Sequence, residues 1–459
     1  MYQIDFSNPI HIHFIGIGGI SMSGLAEILL TEGFTVSGSD MHRSPLTETL
    51  EQKGITVSYR QTPANLTDDI DLIVHTAAIG AGNPELSAAV EKGIPCLTRA
   101  QLLGQMMRNY KMPVAVSGTH GKTTTTSMIA EILLKADTDP TLSIGGILRS
   151  IGGNIRIGKS DYFVTEACEY TNSFLEFFPK IGIILNIEED HLDFFHGIDE
   201  IRDSFHRFAA LLPEDGTLIV NGTIDGLETV IKELPCRIIT FGDNPSFDYS
   251  FDHLTFDDAA CPAFTLHTRG GQTRTVTLSV PGEHNVYNAL AALALSDLLG
   301  LPTDTVLDAL RDFHGTDRRF EYKGQIGGVT VIDDYAHHPT EITATLQAAQ
   351  NYPHNTLWCV FQPHTYSRTK AFLPEFAQAL ALADRVVLAD IYAAREKDTL
   401  GVSSRMLQDE IRRLGKECAY FPSFDEIENF LLENCSGGDL LITMGAGDVV
   451  KIGENLLGL

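Results

Sequence analysis

The residues best suited to chemistry stand together in Val114-Ala115-Val116-Ser117-Gly118-Thr119-His120-Gly121-Lys122-Thr123-Thr124. An apolar strand runs into a glycine-bounded loop, and a helical pattern follows. Glycines let backbone N–H groups converge on phosphate oxygens, and the helix N-terminus adds a partial positive charge. In such a P-loop Lys122 reaches the outer phosphates of ATP, and the Thr123 hydroxyl joins a Mg²⁺ shell. Gly118, Thr119, His120, Gly121, Lys122, Thr123 and Thr124 are therefore the expected ATP contacts, with Lys122 catalytic. Counted from Gly118 the loop is one residue shorter than G-x-x-x-x-G-K, and Ser117-Gly118 opens it.

A lysine alone does not move a phosphoryl group, because a metal must offset the phosphate charge. Carboxylate or imidazole ligands belong at strand ends, where α/β sheets present them. Glu166 ends the strand expected at 161–165, and His191 lies in Asn186-Ile187-Glu188-Glu189-Asp190-His191-Leu192-Asp193. Thr123, Glu166 and His191 are the expected Mg²⁺ ligands, and His191 is also expected to be catalytic. The acids crowded around His191 call for a cation, since like charges in one loop repel.

A second glycine turn opens the chain, in His13-Phe14-Ile15-Gly16-Ile17-Gly18-Gly19-Ile20-Ser21. Its strand-to-helix setting suits a diphosphate, and Asp40 ends the next strand about where a ribose-binding acid sits. Taken alone, this turn fits a nicotinamide dinucleotide as the default ligand. Ser21 replaces a glycine of that fingerprint, so the helix can approach less closely there.

The P-loop, the glutamate-bearing strand end, the N-I-x-x-D-H-L-D segment and Gly282-Glu283-His284-Asn285-Val286-Tyr287-Asn288-Ala289 together resemble the ATPase domain of the Mur ligase family. The resemblance implies that Asn285 meets the adenine. The first glycine turn is similar to that of the family's alanine-adding branch, where the pocket holds the UDP of the substrate. Gly16, Gly18, Gly19, Ser21 and Asp40 are then substrate contacts, joined by His75 and Thr76 from a second loop, His75-Thr76-Ala77-Ala78-Ile79. Asp317-Arg318-Arg319-Phe320-Glu321 resembles the family's linker, making Arg319 a phosphate or substrate contact. Residues 333–339 and 362–369 resemble two C-terminal motifs, in which Tyr335 and a catalytic His337 orient the amino acid. Arg368 would grip an anionic group bidentately. Glu341 reads as a first-turn helix acid rather than a ligand.

This chain departs from the family pattern E-A-D-E-S-D, reading Glu166-Ala167-Cys168-Glu169-Tyr170-Thr171, so only Glu166 carries an implied role. No lysine occurs between Lys180 and Lys232, which fits the alanine-adding branch and not sister ligases that use a carbamylated lysine. The implied reaction is ATP-dependent joining of L-alanine to the carboxylate of UDP-N-acetylmuramate through an acyl phosphate, in peptidoglycan precursor synthesis. ATP and Mg²⁺ are its implied cofactors. The alternatives are a ligase that attaches a tripeptide to the same sugar nucleotide, a folate- or cyanophycin-type ligase, a nicotinamide oxidoreductase, and a non-catalytic nucleotide switch.

These groups need elements to hold them, and strands alternate with helices through most of the 459 residues. The reading is α/β with three domains: Rossmann-like at 1–112, a P-loop ATPase domain at 113–315, and Rossmann-like again at 316–459. Between Pro245 and Pro281 a Thr-rich stretch broken by Gly270-Gly271 predicts a β-hairpin. A single helix is expected over 371–383. The net charge of −27 argues against nucleic acid. Seven scattered cysteines form no C-x-x-C pair, as expected for reduced thiols. The N-terminal segment lacks the pattern of a signal peptide, and no stretch approaches the roughly 20 apolar residues of a membrane span. A cytoplasmic protein, monomeric or weakly dimeric, is expected.

Overall fold

Short β-branched and leucine-rich runs bounded by glycine or proline cannot bury both faces alone, and they assemble into three helix-covered sheets. The computed structural model describes residues 2–76, 78–80, 82–394 and 396–459. Ala77 of the expected second UDP loop thus lies outside the described residues.

The first sheet has five parallel strands in the order Thr56–Ser58, Thr35–Ser39, His11–Ile15, Leu72–His75, Cys96–Thr98. Strand order reverses between His11–Ile15 and Leu72–His75, which leaves a crevice at their carboxyl ends. The Gly16–Gly19 turn fills one side and Thr76 the other. Gly16 has φ of +86°, and a Cβ there would fall 2.7 Å from Thr76 Cγ2, so only glycine fits.

The second sheet has ten strands. The strand before the P-loop, Met112–Ser117, lies between Ile181–Ile184 and Tyr162–Ala167, all three parallel. In register, Ser117 stands beside Ile184 and Ala167, so the P-loop, Glu166 and the loop to His191 leave one edge together. The stretch expected as a hairpin forms three antiparallel strands, Tyr249–Phe256, Pro262–Thr268 and Thr273–Thr277. Gly270-Gly271 makes only the second turn. The first carries no glycine signal: Asp257 shapes it by accepting the N–H groups of Ala259 (2.9 Å) and Cys261 (2.8 Å).

The third sheet has six strands, parallel except for the edge strand Glu321–Ile326. The helix expected over 371–383 forms as Leu373–Leu380, with Pro374 in its first turn, and a short helix, Tyr366–Ala371, that was not expected precedes it.

The first two sheets share one apolar core, in which Phe14, Leu25, Leu103 and Met106 are buried with Phe163, Phe174, Phe205 and Phe208. The helix Arg99–Met107 packs on the segment Tyr170–Glu176, and a Cβ on Gly104 would sit 1.9 Å from the Glu176 carbonyl oxygen. The third sheet has separate apolar cores on its two faces. Replacing a helical glycine by alanine ordinarily gains about 1 kcal/mol, but overpacking costs roughly 1–3 kcal/mol. Gly104→Ala is therefore expected to lower the melting temperature in calorimetry, because the clashing atom is backbone and cannot swing aside; a raised one would deny this docking.

Candidate active site

Gly118 (φ +143°) and Gly121 (φ +82°) bend the chain between the strand and the helix Lys122–Lys135. A Cβ on Gly121 would meet Asn288 Oδ1 at 2.5 Å. Lys122 Nζ donates to the Gly118 carbonyl, to the Thr119 carbonyl (3.0 Å) and to Glu169 Oε2 (3.1 Å). Burial disfavours the ammonium, but the Glu169 carboxylate outweighs it and lifts the lysine above its ordinary value. Lys122 therefore stays a cation. Sequence reasoning assigned Glu169 no role; the available signal was an acid three residues beyond Glu166, at the same strand end.

Thr123 Oγ1 donates to Glu166 Oε2 at 3.1 Å, and the Gly145 N–H binds Glu166 Oε1 at 2.5 Å. Burial raises the Glu166 pKa, against the pull of that N–H, Thr123 and Lys122. His191, in left-handed backbone (φ +52°), stacks on Tyr170 at 4.5 Å. Its Nε2 lies 3.8 Å from both Glu169 Oε1 and Asp190 Oδ2. Of the three expected metal ligands, then, Thr123 and Glu166 touch, while His191 is set against Glu169. Burial pulls the His191 pKa down, despite Asp190 and Glu169, and favours a neutral ring with a free lone pair. Glu169 Oε1 is buried without a hydrogen-bond partner. That orphaned oxygen facing an imidazole is a donor set that fits a divalent cation.

His120 lies where the second and third sheets meet. Its Nδ1 is 3.2 Å from Glu341 Oε1, its Nε2 is 3.5 Å from Glu188 Oε2, and its ring is 4.7 Å from that of His338. Burial opposes its charge, yet Glu341 and Glu188 prevail and push the imidazole up to about 9. Glu341 does occupy the first turn of the helix Pro339–Gln350, but it also reaches across to the P-loop. His120, Glu188 and His338 place ligand atoms within 4.8 Å of one another. His338 is already engaged, with Nε2 on the Glu189 carbonyl (3.0 Å) and Nδ1 capping Thr340 N (3.4 Å).

Arg368, expected to grip an anionic group of the substrate, is paired in this structure with Asp190. Its Nε (3.1 Å) and Nη2 (2.8 Å) both reach Asp190 Oδ1. Burial works against the Asp190 charge, but Arg368 overrides it and holds the carboxyl well below the usual range. Tyr335 lies under the guanidinium groups of Arg318 and Arg319, at 4.9 and 5.3 Å. His337 is 20% exposed, its Nδ1 is 3.0 Å from the Tyr335 carbonyl, and burial lowers its pKa to about 4. A cavity of about 940 Å³ opens between the starts of the helices His284–Leu298 and Pro339–Gln350, lined by His120, Thr124, Asn285, Arg319, Glu341 and Asn351 among others.

In the first sheet Asp40 serves the glycine turn itself, its Oδ2 accepting Gly18 N–H at 2.8 Å and its Oδ1 accepting His42 N–H at 3.2 Å. Gly19 caps the helix Ile20–Thr31 with no side-chain hydrogen bond, which leaves first-turn N–H groups open. His75 Nδ1 lies 3.2 Å from the Thr76 carbonyl, beside that turn.

Because the folded His120 pKa is raised above its unfolded value, its contribution to docking is complete below about pH 6.5 and fades as pH rises through about 9. Histidine NMR titration is expected to show a midpoint near 9 for His120 and near 4 for His337. A His120 midpoint below 7 would deny its ion pairs.

The chain matches the Mur ligase family's catalytic-domain model at residues 11–111, the Mur ligase middle-domain model at 116–296, and the Mur ligase glutamate-ligase-domain model at 318–447. It is 62% identical to a UDP-N-acetylmuramate–L-alanine ligase of Agathobacter rectalis and 60% identical to one of Lachnospira eligens, each alignment covering all of both chains. Among solved structures it is similar to the UDP-N-acetylmuramate–alanine ligase of Thermotoga maritima, with TM-score 0.80 and 31% identity over 98% of both chains. It is also similar to a murein peptide ligase of Psychrobacter arcticus, with TM-score 0.70 and 28% identity over 98% of both. With three domain models matched in order along three successive sheets, this chain belongs to the Mur ligase family.

Proposed function

We propose that this chain joins L-alanine to the carboxylate of UDP-N-acetylmuramate at the expense of ATP, the first amino-acid addition to the peptidoglycan precursor. The observation that carries the reading is the convergence of Lys122, the Thr123–Glu166 pair and His191 at one sheet edge, facing the Tyr335–His337 loop across Asp190–Arg368. Full-length likeness to L-alanine ligases, at 62% and 60% identity, supports the choice of substrates.

The substrate carboxylate attacks the γ-phosphorus and ADP leaves, which yields an acyl phosphate. The neutral amine of L-alanine then attacks the carbonyl carbon, phosphate departs with the electron pair of the C–O bond, and the nitrogen gives up one proton, which ends on the released phosphate. Lys122, kept cationic, swings from the P-loop carbonyls toward the charge that develops on the transferred group. Thr123, Glu166 and His191 would hold Mg²⁺, which offsets phosphate charge. Asn285 and Arg319 line the cavity into which the adenosine and phosphates fit. Gly16, Gly18, Gly19, Ser21, Asp40, His75 and Thr76 form or shape the UDP site, and Tyr335 and His337 orient the amino acid.

In this reading residues 1–112 bind the sugar nucleotide, 113–315 bind ATP, and 316–459 bring the amino acid and shut out water, which would otherwise hydrolyse the acyl phosphate. The reading places the reaction in the cytoplasm. No helix among the described residues is long and apolar enough to cross a membrane.

Phosphate release is expected only with ATP, UDP-N-acetylmuramate and an amino acid together, L-alanine being preferred to glycine or L-serine. Release with a tripeptide in place of L-alanine would move the chain to another branch. Lys122→Ala should lower kcat on the order of 10³-fold and leave sugar-nucleotide affinity nearly unchanged by calorimetry. Arg368→Met removes two hydrogen bonds to one Asp190 oxygen and should increase the radius of gyration in scattering; an unchanged radius would show that the Asp190 contact does not hold the third domain.

A further inference from the structure

Among the described residues Arg99 is an arginine without an acid. It follows Thr98, which pairs in register with His75 at the carboxyl edge of the first sheet. A reciprocal cap between Thr98 and Gln101 starts its helix, so its backbone is fixed. Among the described residues its one polar partner is Ser21 Oγ, 3.1 Å from Nη1. Elsewhere in the chain partly buried arginines such as Arg156, Arg202, Arg274, Arg318 and Arg368 each find a carboxylate. With 60 acidic side chains against 33 Lys and Arg, an arginine that meets none is not short of candidates.

Its surroundings say what is missing. On one side lies the first turn of the helix Ile20–Thr31, where Gly19 supplies no cap and no acid follows. On the other lies Cys168, between Glu166 and Glu169 at the end of the catalytic strand. Among the described residues no hydrogen bond joins that thiol to Arg99, and a thiol is a weak acceptor. The helix cannot drift away, since Gly104 lies against the Glu176 backbone and Arg108 stacks over Phe178 at 4.8 Å. Burial lowers the Arg99 pKa, so the cation is held at a cost that an anion would offset.

We infer that Arg99 receives an anionic oxygen of the sugar nucleotide at the seam between the first and second sheets, with Ser21 holding the guanidinium in place. This rests on the substrate reading above. The sugar nucleotide offers two anions along the route from the glycine turn to the P-loop, the diphosphate and the lactyl carboxylate. A guanidinium fork matches either, and bidentate geometry sets it apart from lysine. Ser21, where the dinucleotide fingerprint has glycine, thereby gains a purpose: its hydroxyl orients Arg99.

The test is calorimetric binding of UDP, UDP-N-acetylglucosamine and UDP-N-acetylmuramate to the full chain, with ATP affinity and melting temperature as controls. Arg99→Gln should weaken UDP-N-acetylmuramate about 10- to 100-fold and leave ATP within about twofold. An equal loss for all three probes would locate the contact on the diphosphate, and a loss confined to UDP-N-acetylmuramate on the carboxylate; each supports the inference. Arg99→Lys keeps charge without the fork and should recover part of the loss, and Ser21→Gly should give a smaller loss than Arg99→Gln. In turnover, KM for the sugar nucleotide should rise while KM for ATP stays put. Unchanged affinities in Arg99→Gln, or an equal loss of ATP affinity, would overturn the inference and leave the function standing. A wild-type chain that binds none of the three probes would overturn both.

Discussion

The site depends on one ion pair, Lys122 with Glu169. A P-loop strand is buried on both faces, so its loop delivers Lys122 into a place where an ammonium is costly without a counter-charge. Glu169, 3% exposed, supplies that charge. What positions Glu169 also positions much else. The segment after it turns through Thr171 and Asn172, both in left-handed backbone, and ties Asn172 Oδ1 to Ser204 Oγ at 2.5 Å. Phe174 then enters the shared core and stacks on Phe208 at 4.8 Å. One short stretch thus carries the lysine's partner, the tyrosine under His191, and the surface on which the first domain's helix Arg99–Met107 rests.

The three sheets are joined unequally. The first and second share an apolar core, so parting them would expose large hydrophobic surfaces. The second and third meet in this structure through charged and polar pairs: Asp190 with Arg368, His338 with the Glu189 carbonyl, His120 with Glu341, and Arg149 with Asp317 and Glu321. Water can replace such contacts at far lower cost than it can replace packed phenylalanines. The asymmetry suits an enzyme that must keep its acceptor and ATP sites in fixed relation and still admit an amino acid.

Much of this was legible in the residues. Gly118, Gly121 and Lys122 declare a phosphate loop because backbone geometry and charge are local properties, and Gly16 declares a turn for the same reason. Strand positions followed from short apolar runs bounded by turn residues, as at His11–Ile15 and Leu357–Phe361, which are buried almost throughout. Local reading failed at the turn built by Asp257, where a side chain does the work of glycine, and at Tyr366–Ala371, a helix too short to show a period of its own.

The sequence by itself determined the types of group present, the nucleotide chemistry they serve and the order of the sheets. The tertiary structure decided which group meets which. Glu169, three residues beyond Glu166, became the partner of Lys122; Arg368 met Asp190 across 178 residues; Arg99 met Ser21 across 78. Those pairings depend on how strand ends and helices from different domains are stacked and turned, and no spacing along the chain encodes a distance across a seam.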